Sequence, residues 1–139
     1  MAFMFKNRSD AGRLLAERLK DYADRHDVTV LALPRGGVPV GYEVANALGV
    51  KLDILIVRKL GVPHHPELAM GAIASGGASY LNKDVIHYEN ISRGDLDRTF
   101  NAESMELKRR EREFRGNRPP VEITGKTIIV VDDGIATGS

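Results

Sequence analysis

Ile128-Ile-Val-Val-Asp-Asp-Gly-Ile-Ala-Thr-Gly-Ser139 is the stretch that decides the fold class. Its apolar first part is typical of a strand buried on both faces, as in a parallel sheet. Asp132 and Asp133 follow at the carboxyl end of that strand, which is the edge where α/β sheets place their ligands. The next residues are mostly small, and Thr137 and Ser139 carry hydroxyl groups. We therefore expect an anion-binding loop at this edge.

The ligand that suits such an edge carries both hydroxyl groups and a phosphate. Backbone N–H groups and hydroxyl donors of the loop can hold a phosphate, whereas Asp132 and Asp133 repel one at close range. The two carboxylates suit the hydroxyls of a sugar, or a metal ion shared with its phosphates. The pattern therefore predicts a sugar phosphate across the strand end. The alternative is a plain βα turn in which the two Asp residues only cap the backbone.

Two further apolar runs lie upstream and form a βαβ pattern. Residues 28–33 are predicted to be a buried strand, 38–48 a helix that ends at Gly49, and 52–57 a second buried strand. A strand, a glycine-rich turn, a helix and a parallel strand make a right-handed unit. The chain is therefore predicted to have an α/β fold.

Periodicity and breaker residues predict the remaining segments. They are an amphipathic helix over 10–25 capped by Ser9, a long loop over 58–70, a hairpin over 71–81 around Gly76-Gly77, an edge strand over 85–88 and a charged surface helix over 94–115. The last helix contains the basic run 108–110, interleaved with Glu residues. A solvated helix face is favoured for this run over an RNA-binding one.

Composition narrows the class of protein. The 139 residues fit one domain over 1–139, with 42% hydrophobic and 28% charged residues, as in a water-soluble globular protein. The net charge of +1 argues against a strongly basic nucleic-acid surface, and the absence of Cys excludes thiol catalysis. No apolar run approaches the roughly 20 residues of a membrane span or forms a signal peptide. We expect a cytoplasmic protein that binds neither membranes nor nucleic acid.

Residues 128–139 resemble the signature of the type I phosphoribosyltransferases, which is an apolar strand, two acidic residues and a short run of small and hydroxyl residues. Gly134 stands where this family usually has an aliphatic residue or Ser. The segments Leu33-Pro-Arg-Gly-Gly-Val-Pro-Val-Gly41 and Val57–Ala72 resemble a bacterial subgroup of the family. The resemblance implies a three-layer α/β/α fold with a mostly parallel sheet, in which the strand bearing the two Asp residues lies beside the first strand.

The resemblance also implies the substrate-binding residues. Asp132 and Asp133 would hold the ribose hydroxyls of phosphoribosyl pyrophosphate. The phosphate loop after them would be formed by Gly134, Ala136, Thr137, Gly138 and Ser139. Arg35, Gly36 and Gly37 match the pyrophosphate loop of the family. Physical chemistry agrees, because glycine lets the backbone approach closely and arginine offers a fork of donors to phosphate.

Arg58 and Lys59 are predicted to be catalytic. They would contact pyrophosphate while the loop after them closes as a lid, with Glu67 as a residue that could orient one of the two cations. The alternative is solvent-facing charge at a strand end. The neighbouring His64 and His65 are not favoured as a metal site, because no carboxylate pattern accompanies them.

The implied reaction is a displacement at ribose C1. A nitrogen atom of a small-molecule acceptor, such as a nucleobase, attacks as pyrophosphate leaves, and the protein contributes positioning and charge neutralisation. Mg²⁺ is expected to bind mainly through the substrate, with Asp132 and Asp133 as candidate ligands. Two alternatives stay open: a non-catalytic module that binds a sugar phosphate, and an inactive truncated fragment.

The family fold continues beyond the phosphate loop with further strands and a helix, whereas this sequence ends at Ser139. We therefore expect a domain that is incomplete at its C-terminus and lacks those elements. The strand over 127–131 would then be an apolar edge. Such edges pair with other chains, so we expect a homo-oligomer formed through this edge, or else a poorly ordered C-terminus.

Overall fold

The computed structural model describes residues 5–119 and 122–134. The predicted phosphate-loop residues Ala136, Thr137, Gly138 and Ser139 therefore lie outside the described residues. The chain divides into two compact units: Met1–Leu55 with Val121–Ser139, and Ile56–Pro120. The elements in chain order are α1 (Arg8–Arg18), β1 (Val28–Ala32), α2 (Gly37–Leu48), β2 (Lys51–Ile54), β3 (Val57–Val62), β4 (His65–Ala74), β5 (Ala78–Leu81), α3 (Lys83–Tyr88), α4 (Arg93–Arg115) and β6 (Thr127–Val131).

The first unit contains a parallel sheet with the strand order β2-β1-β6. All five residues of β1 are buried, as the apolar run predicted. Strand β6 pairs with β1 in register from Val28 opposite Thr127 to Ala32 opposite Val131. The predicted adjacency of these two strands is therefore confirmed. Because they are parallel, their carboxyl ends lie at the same edge of the sheet.

Helix α2 covers this sheet and supplies much of its core. Val40, Val44 and Leu48 are buried against Val30 of β1 and Val131 of β6. The four-residue spacing of the three α2 positions places them along one face of the helix. The predicted ending at Gly49 is confirmed, since this residue has φ of 67°. Glycine adopts that left-handed conformation without a steric penalty.

Helix α1 packs on α2 and begins earlier than predicted. The expected cap Ser9 is wrong, because Asn7 has extended backbone and its side chain accepts a hydrogen bond from the Asp10 N–H at 2.8 Å. The predicted end at residue 25 is also wrong. Leu19 ends the helix, and a short 3₁₀ turn follows over Lys20–Tyr22.

The cap assignment yields a stability prediction. Asn7→Ala should lower the free energy of unfolding by about 1 kcal/mol, because the Asp10 N–H loses its acceptor. Ser9→Ala is the matched control and should change it by less than about 0.5 kcal/mol. Urea denaturation followed by circular dichroism measures both. Equal losses in the two variants would contradict the assignment.

The second unit contains an antiparallel sheet in the order β3-β4-β5. The predicted loop over 58–70 is wrong, since β3 and β4 pair antiparallel through most of it. The reason is an alternating pattern that Gly61, Pro63 and Pro66 obscured: Leu60, Val62 and Met70 are fully buried. The predicted buried strand over 52–57 is confirmed only over 52–54, where β2 pairs parallel with β1, and its burial is wrong because the β2 residues are exposed or half-buried. Strand β2 ends at Ile54, and β3 begins at Val57 in the other sheet.

The other predictions for this unit had mixed outcomes. The hairpin over 71–81 is confirmed by the pairing of β4 with β5, and Gly76 and Gly77 have φ of 82° and 84° in its turn. The edge strand over 85–88 is wrong, because the Asn82 side chain accepts from the Val85 N–H and starts helix α3. The charged surface helix is confirmed as α4.

Among the described residues, none of the helices combines the length and apolar composition that crossing a bilayer requires.

Candidate functional site

The turn after β1 and the segment after β6 meet at the carboxyl edge of the parallel sheet. The Leu33 N–H donates to the Val131 carbonyl at 2.9 Å, which extends the pairing of the two strands by one residue. The chain then turns through Pro34 and Arg35, joined by a cis peptide bond, into α2. On the other strand, Asp132 follows directly. The structure thus brings two of the predicted binding segments together.

Gly36 and Gly37 allow this contact because they have no side chain. A Cβ on Gly37 would lie 2.7 Å from the Val131 carbonyl oxygen and 3.1 Å from the Asp132 Cα. A Cβ on Gly36 would lie 2.9 Å from Asp133 Oδ1 and nearer still to the rest of that carboxylate. Real Cβ atoms do not approach other atoms so closely. The glycines therefore set the separation between the turn and the acidic strand end.

The two carboxylates at this edge are exposed, and they differ in their partners. Asp132 Oδ1 accepts from the Asp133 N–H at 2.8 Å. Asp133 Oδ2 accepts from Arg8 Nη2 at 2.9 Å. This guanidinium lowers the pKa of Asp133 below its usual value. Arg8 therefore favours the ionised form of Asp133, which offers only acceptor sites to sugar hydroxyls.

Arg8 contacts this candidate site and was not predicted from the sequence. It is the first residue of α1. A positive charge there is unfavourable, because the N-terminal end of a helix carries a partial positive charge. That mismatch was the available signal that Arg8 has a partner outside its own helix.

The pKa of Asp133 tests this contact. In Arg8→Gln it should rise toward the usual value, because the largest cause of its depression is lost. A carboxylate with a depressed pKa contributes stability above its unfolded-state pKa, and loses it as the pH falls through the lower folded-state value. The Arg8 contribution to stability should therefore begin to fall below about pH 4 and be lost once the pH is below the folded-state pKa of Asp133. Carboxyl ¹³C NMR titration measures the shift.

Arg13→Gln is the matched control, since Arg13 lies on the same helix and contacts Asp10 at 3.7 Å. It should leave the pKa of Asp133 unchanged. An unaltered titration of Asp133 in Arg8→Gln would exclude the contact in solution.

Arg58 and Lys59, predicted to follow a strand beside an open loop, instead lie within β3 of the second unit. Arg58 Nε donates to Glu103 Oε2 of α4 at 2.7 Å, and both side chains are about three-quarters buried. Lys59 Nζ donates to the Glu67 carbonyl at 3.1 Å. These two cations and Glu103 line a cavity of about 390 Å³. Arg58 is thus held by a carboxylate that no sequence motif had indicated.

The histidines at the tip of the β3-β4 hairpin each contact a glutamate. His64 Nε2 lies 3.2 Å from Glu89 Oε2, and His65 Nε2 lies 2.9 Å from Glu67 Oε1. The Glu67 carboxylate therefore contacts a histidine, whereas its carbonyl receives Lys59. Within residues 5–119 and 122–134, no group of three or more His, Asp or Glu side chains is placed to hold a metal ion.

The family model of the phosphoribosyl transferase domain matches residues 6–139. The chain belongs to this family. The resemblance seen in the sequence is thereby confirmed.

Individual family relatives are considerably longer. Two Mycobacterium tuberculosis proteins, from strains CDC 1551 / Oshkosh and ATCC 25618 / H37Rv, are named provisionally as phosphoribosyl transferases. Each is 48% identical over 136 residues. The match covers 98% of this chain and 30% of each relative. The bifunctional protein PyrR of Brevibacillus brevis is 36% identical over 55 residues, which are 40% of this chain and 31% of PyrR.

A solved structure also resembles the chain. The crystal structure of TT1426 from Thermus thermophilus superposes with a TM-score of 0.83 at 40% sequence identity. The match covers 98% of this chain and 64% of the other. The predicted α/β fold with a parallel sheet is thus confirmed.

Proposed function

We propose that this domain binds phosphoribosyl pyrophosphate with Mg²⁺ and transfers the phosphoribosyl group to a nitrogen of a small-molecule acceptor, a nucleobase, with release of pyrophosphate. The observation that carries the proposal is the contact between the Gly36-Gly37 turn and the Asp132-Asp133 strand end. One sheet edge there places the exposed Arg35 on the turn beside two exposed carboxylates. A ligand with both a phosphate and sugar hydroxyls needs that combination.

The proposal gives the two segments separate tasks. Asp132 and Asp133 accept hydrogen bonds from the ribose hydroxyls, and Arg8 holds the Asp133 carboxylate through an ion pair at 2.9 Å and lowers its pKa. Arg35, which is exposed on the turn, is assigned to the pyrophosphate. Gly134 continues the strand end toward the predicted phosphate loop. The turn and the strand end are thereby preorganised by their mutual contact before substrate arrives.

The donor set at this edge fits Mg²⁺ held jointly by protein and substrate. Mg²⁺ prefers oxygen ligands and usually binds through one or two carboxylates together with substrate phosphates. Asp132 and Asp133 present such oxygens, and the phosphoribosyl pyrophosphate would supply the others. When bound, the ion would neutralise negative charge on the leaving pyrophosphate.

Arg58 and Lys59 are assigned to the leaving group as well. Arg58 already faces a carboxylate oxygen of Glu103 at 2.7 Å, in the geometry that a phosphate oxygen would occupy. No covalent intermediate with the protein is needed, because the chain acts by positioning and by stabilising the charge that develops on the leaving group.

Calorimetric titration with phosphoribosyl pyrophosphate, with and without Mg²⁺, tests binding, and pyrophosphate release with a panel of purine and pyrimidine bases tests transfer. Saturable, Mg²⁺-dependent binding with release in the presence of one base is the expected result. Binding without release from any base would favour the non-catalytic module. No binding would overturn the proposal for this chain.

Cytoplasmic location and a homo-oligomeric state stay predictions from the sequence. They belong to the same proposal, in which a soluble assembly acts on small phosphorylated metabolites. Size-exclusion chromatography with light scattering measures the oligomeric state directly.

A further inference from the structure

A second charged cavity lies at the C-terminal end of α4, within the second unit. It has a volume of about 160 Å³ and is lined by Lys108, Glu111, Arg112, Arg115, Gly116 and Arg118. We call it the cationic cavity, because four basic side chains and one carboxylate line it. Nothing in the family resemblance assigns it a ligand.

The two faces of this part of α4 differ in how their charges are balanced. Arg109 contacts both Glu106 and Glu113 at 2.6 Å, and Arg110 contacts Glu106 at 3.1 Å. This neutralised face agrees with the solvated helix surface predicted from the sequence. Lys108 and Arg112 belong to the other face, and within the described part of the chain neither lies within 4.0 Å of a carboxylate oxygen.

The spacing of Lys108 and Arg112 makes this arrangement unfavourable without a ligand. Residues four apart on a helix are neighbours, and like charges at that spacing are destabilising. Arg115 adds a third cation on the same side and is only 7% exposed.

Arg118 also offsets the partial negative charge at the C-terminal end of α4. Its Nε and Nη2 donate to the carbonyls of Arg115 and Phe114, each at 3.2 Å. These carbonyls belong to the last turn, whose partial negative charge would otherwise repel an anion. The cavity is therefore positive because of its side chains, and its wall is fixed by the contacts of Arg118.

We propose that the cationic cavity binds a small phosphorylated anion through a phosphate or diphosphate group. Arginine and lysine at this density form charge-assisted hydrogen bonds to phosphate oxygens. The cavity volume admits such a group and excludes a folded partner. Lys108 and Arg112, whose side chains are exposed and uncommitted to carboxylates in the described residues, contact the ligand, and Arg115 contributes charge from behind. This proposal does not depend on the phosphoribosyl transfer reaction.

The test follows backbone amides by ¹H-¹⁵N NMR while pyrophosphate is added to this chain. Gly116 and Arg118 should shift saturably. In Lys108→Gln/Arg112→Gln the apparent Kd from these amides should rise roughly tenfold or more, as expected when hydrogen bonds to a charged group are lost. The control Lys83→Gln/Arg93→Gln removes the same charge from exposed positions elsewhere in the unit and should leave that Kd unchanged.

The amides of residues 33–37 separately report any binding of pyrophosphate at the sheet edge, so the two sites are distinguished in one titration. Unshifted Gly116 and Arg118 would overturn the proposal. An equal rise of Kd in both double variants would do the same, since it would indicate unspecific attraction. A single-stranded RNA oligonucleotide is titrated in the same way. If it shifts these amides and pyrophosphate does not, the cavity binds a nucleic-acid backbone and the small-anion proposal is overturned.

Discussion

Gly37→Ala is expected to lower the free energy of unfolding by about 1–3 kcal/mol and to abolish measurable binding of phosphoribosyl pyrophosphate. The new Cβ would lie 2.7 Å from the Val131 carbonyl oxygen and 3.1 Å from the Asp132 Cα. Both atoms belong to the backbone of β6 and its continuation, so relief requires the turn and the strand end to separate. Overpacking of this kind costs stability in the range given, and the separation would dismantle the proposed site.

Urea denaturation measures the stability change, and calorimetry measures the binding. Gly94→Ala is the matched control, because its Cβ would meet nothing closer than 3.5 Å, at Arg98 Nη1. Alanine is favoured over glycine inside a helix, so this variant should be neutral or slightly stabilised. Gly37→Ala with wild-type stability and affinity would show that the close approach does not exist in solution.

Gly36→Ala should separate the loss of stability from the disruption of the proposed site. Its Cβ would collide with the Asp133 side chain and with no backbone atom among its three nearest neighbours. A side chain can rotate away, so stability should fall less than in Gly37→Ala. The rotation breaks the contact between Asp133 and Arg8, and the pKa of Asp133 should therefore rise.

Asp133→Asn should weaken binding of phosphoribosyl pyrophosphate roughly 10- to 100-fold with little change in stability. The carboxylate is exposed, so folding depends little on it. In the proposed site it accepts hydrogen bonds from ribose hydroxyls, and such bonds to a charged group account for an effect of this size. Calorimetric titration in the presence of Mg²⁺ measures the affinity.

Asp21→Asn is the control for the lost negative charge, because Asp21 is exposed on the 3₁₀ turn over Lys20–Tyr22 of the same unit. Its affinity should equal that of the wild type. Unchanged affinity in Asp133→Asn would remove this residue from the proposed site. Weak or absent binding by the wild-type chain would instead count against the proposed function as a whole.

The parallel sheet could be predicted because its signal is local. Residues 28–32 and 127–131 are apolar almost without interruption, which is typical of strands in a parallel sheet. Burial on both faces is confirmed for β1 but is wrong for β6, an edge strand in which Val130 is 57% exposed. The helix end at Gly49 and the turn at Gly76-Gly77 could also be predicted, because positive φ favours glycine. Asp132 and Asp133 were predicted for a related reason, whereas the Arg35–Gly37 turn was assigned mainly by the family resemblance. Each follows a recognisable strand, and parallel strands bring their carboxyl ends together.

The strand pairing and ion pairs that join residues distant in sequence were not predicted. The β3-β4 hairpin was not predicted, because its prolines and glycine mask an alternation that only the pairing of the two strands reveals. Arg8 lies 125 residues from Asp133, and Glu103 lies 45 residues from Arg58. The sequence does not indicate which distant residue a charged helix residue will pair with, even where its position suggests that it has a partner outside the helix. Only packing, which lowers the local dielectric and fixes distances, decides which charges meet.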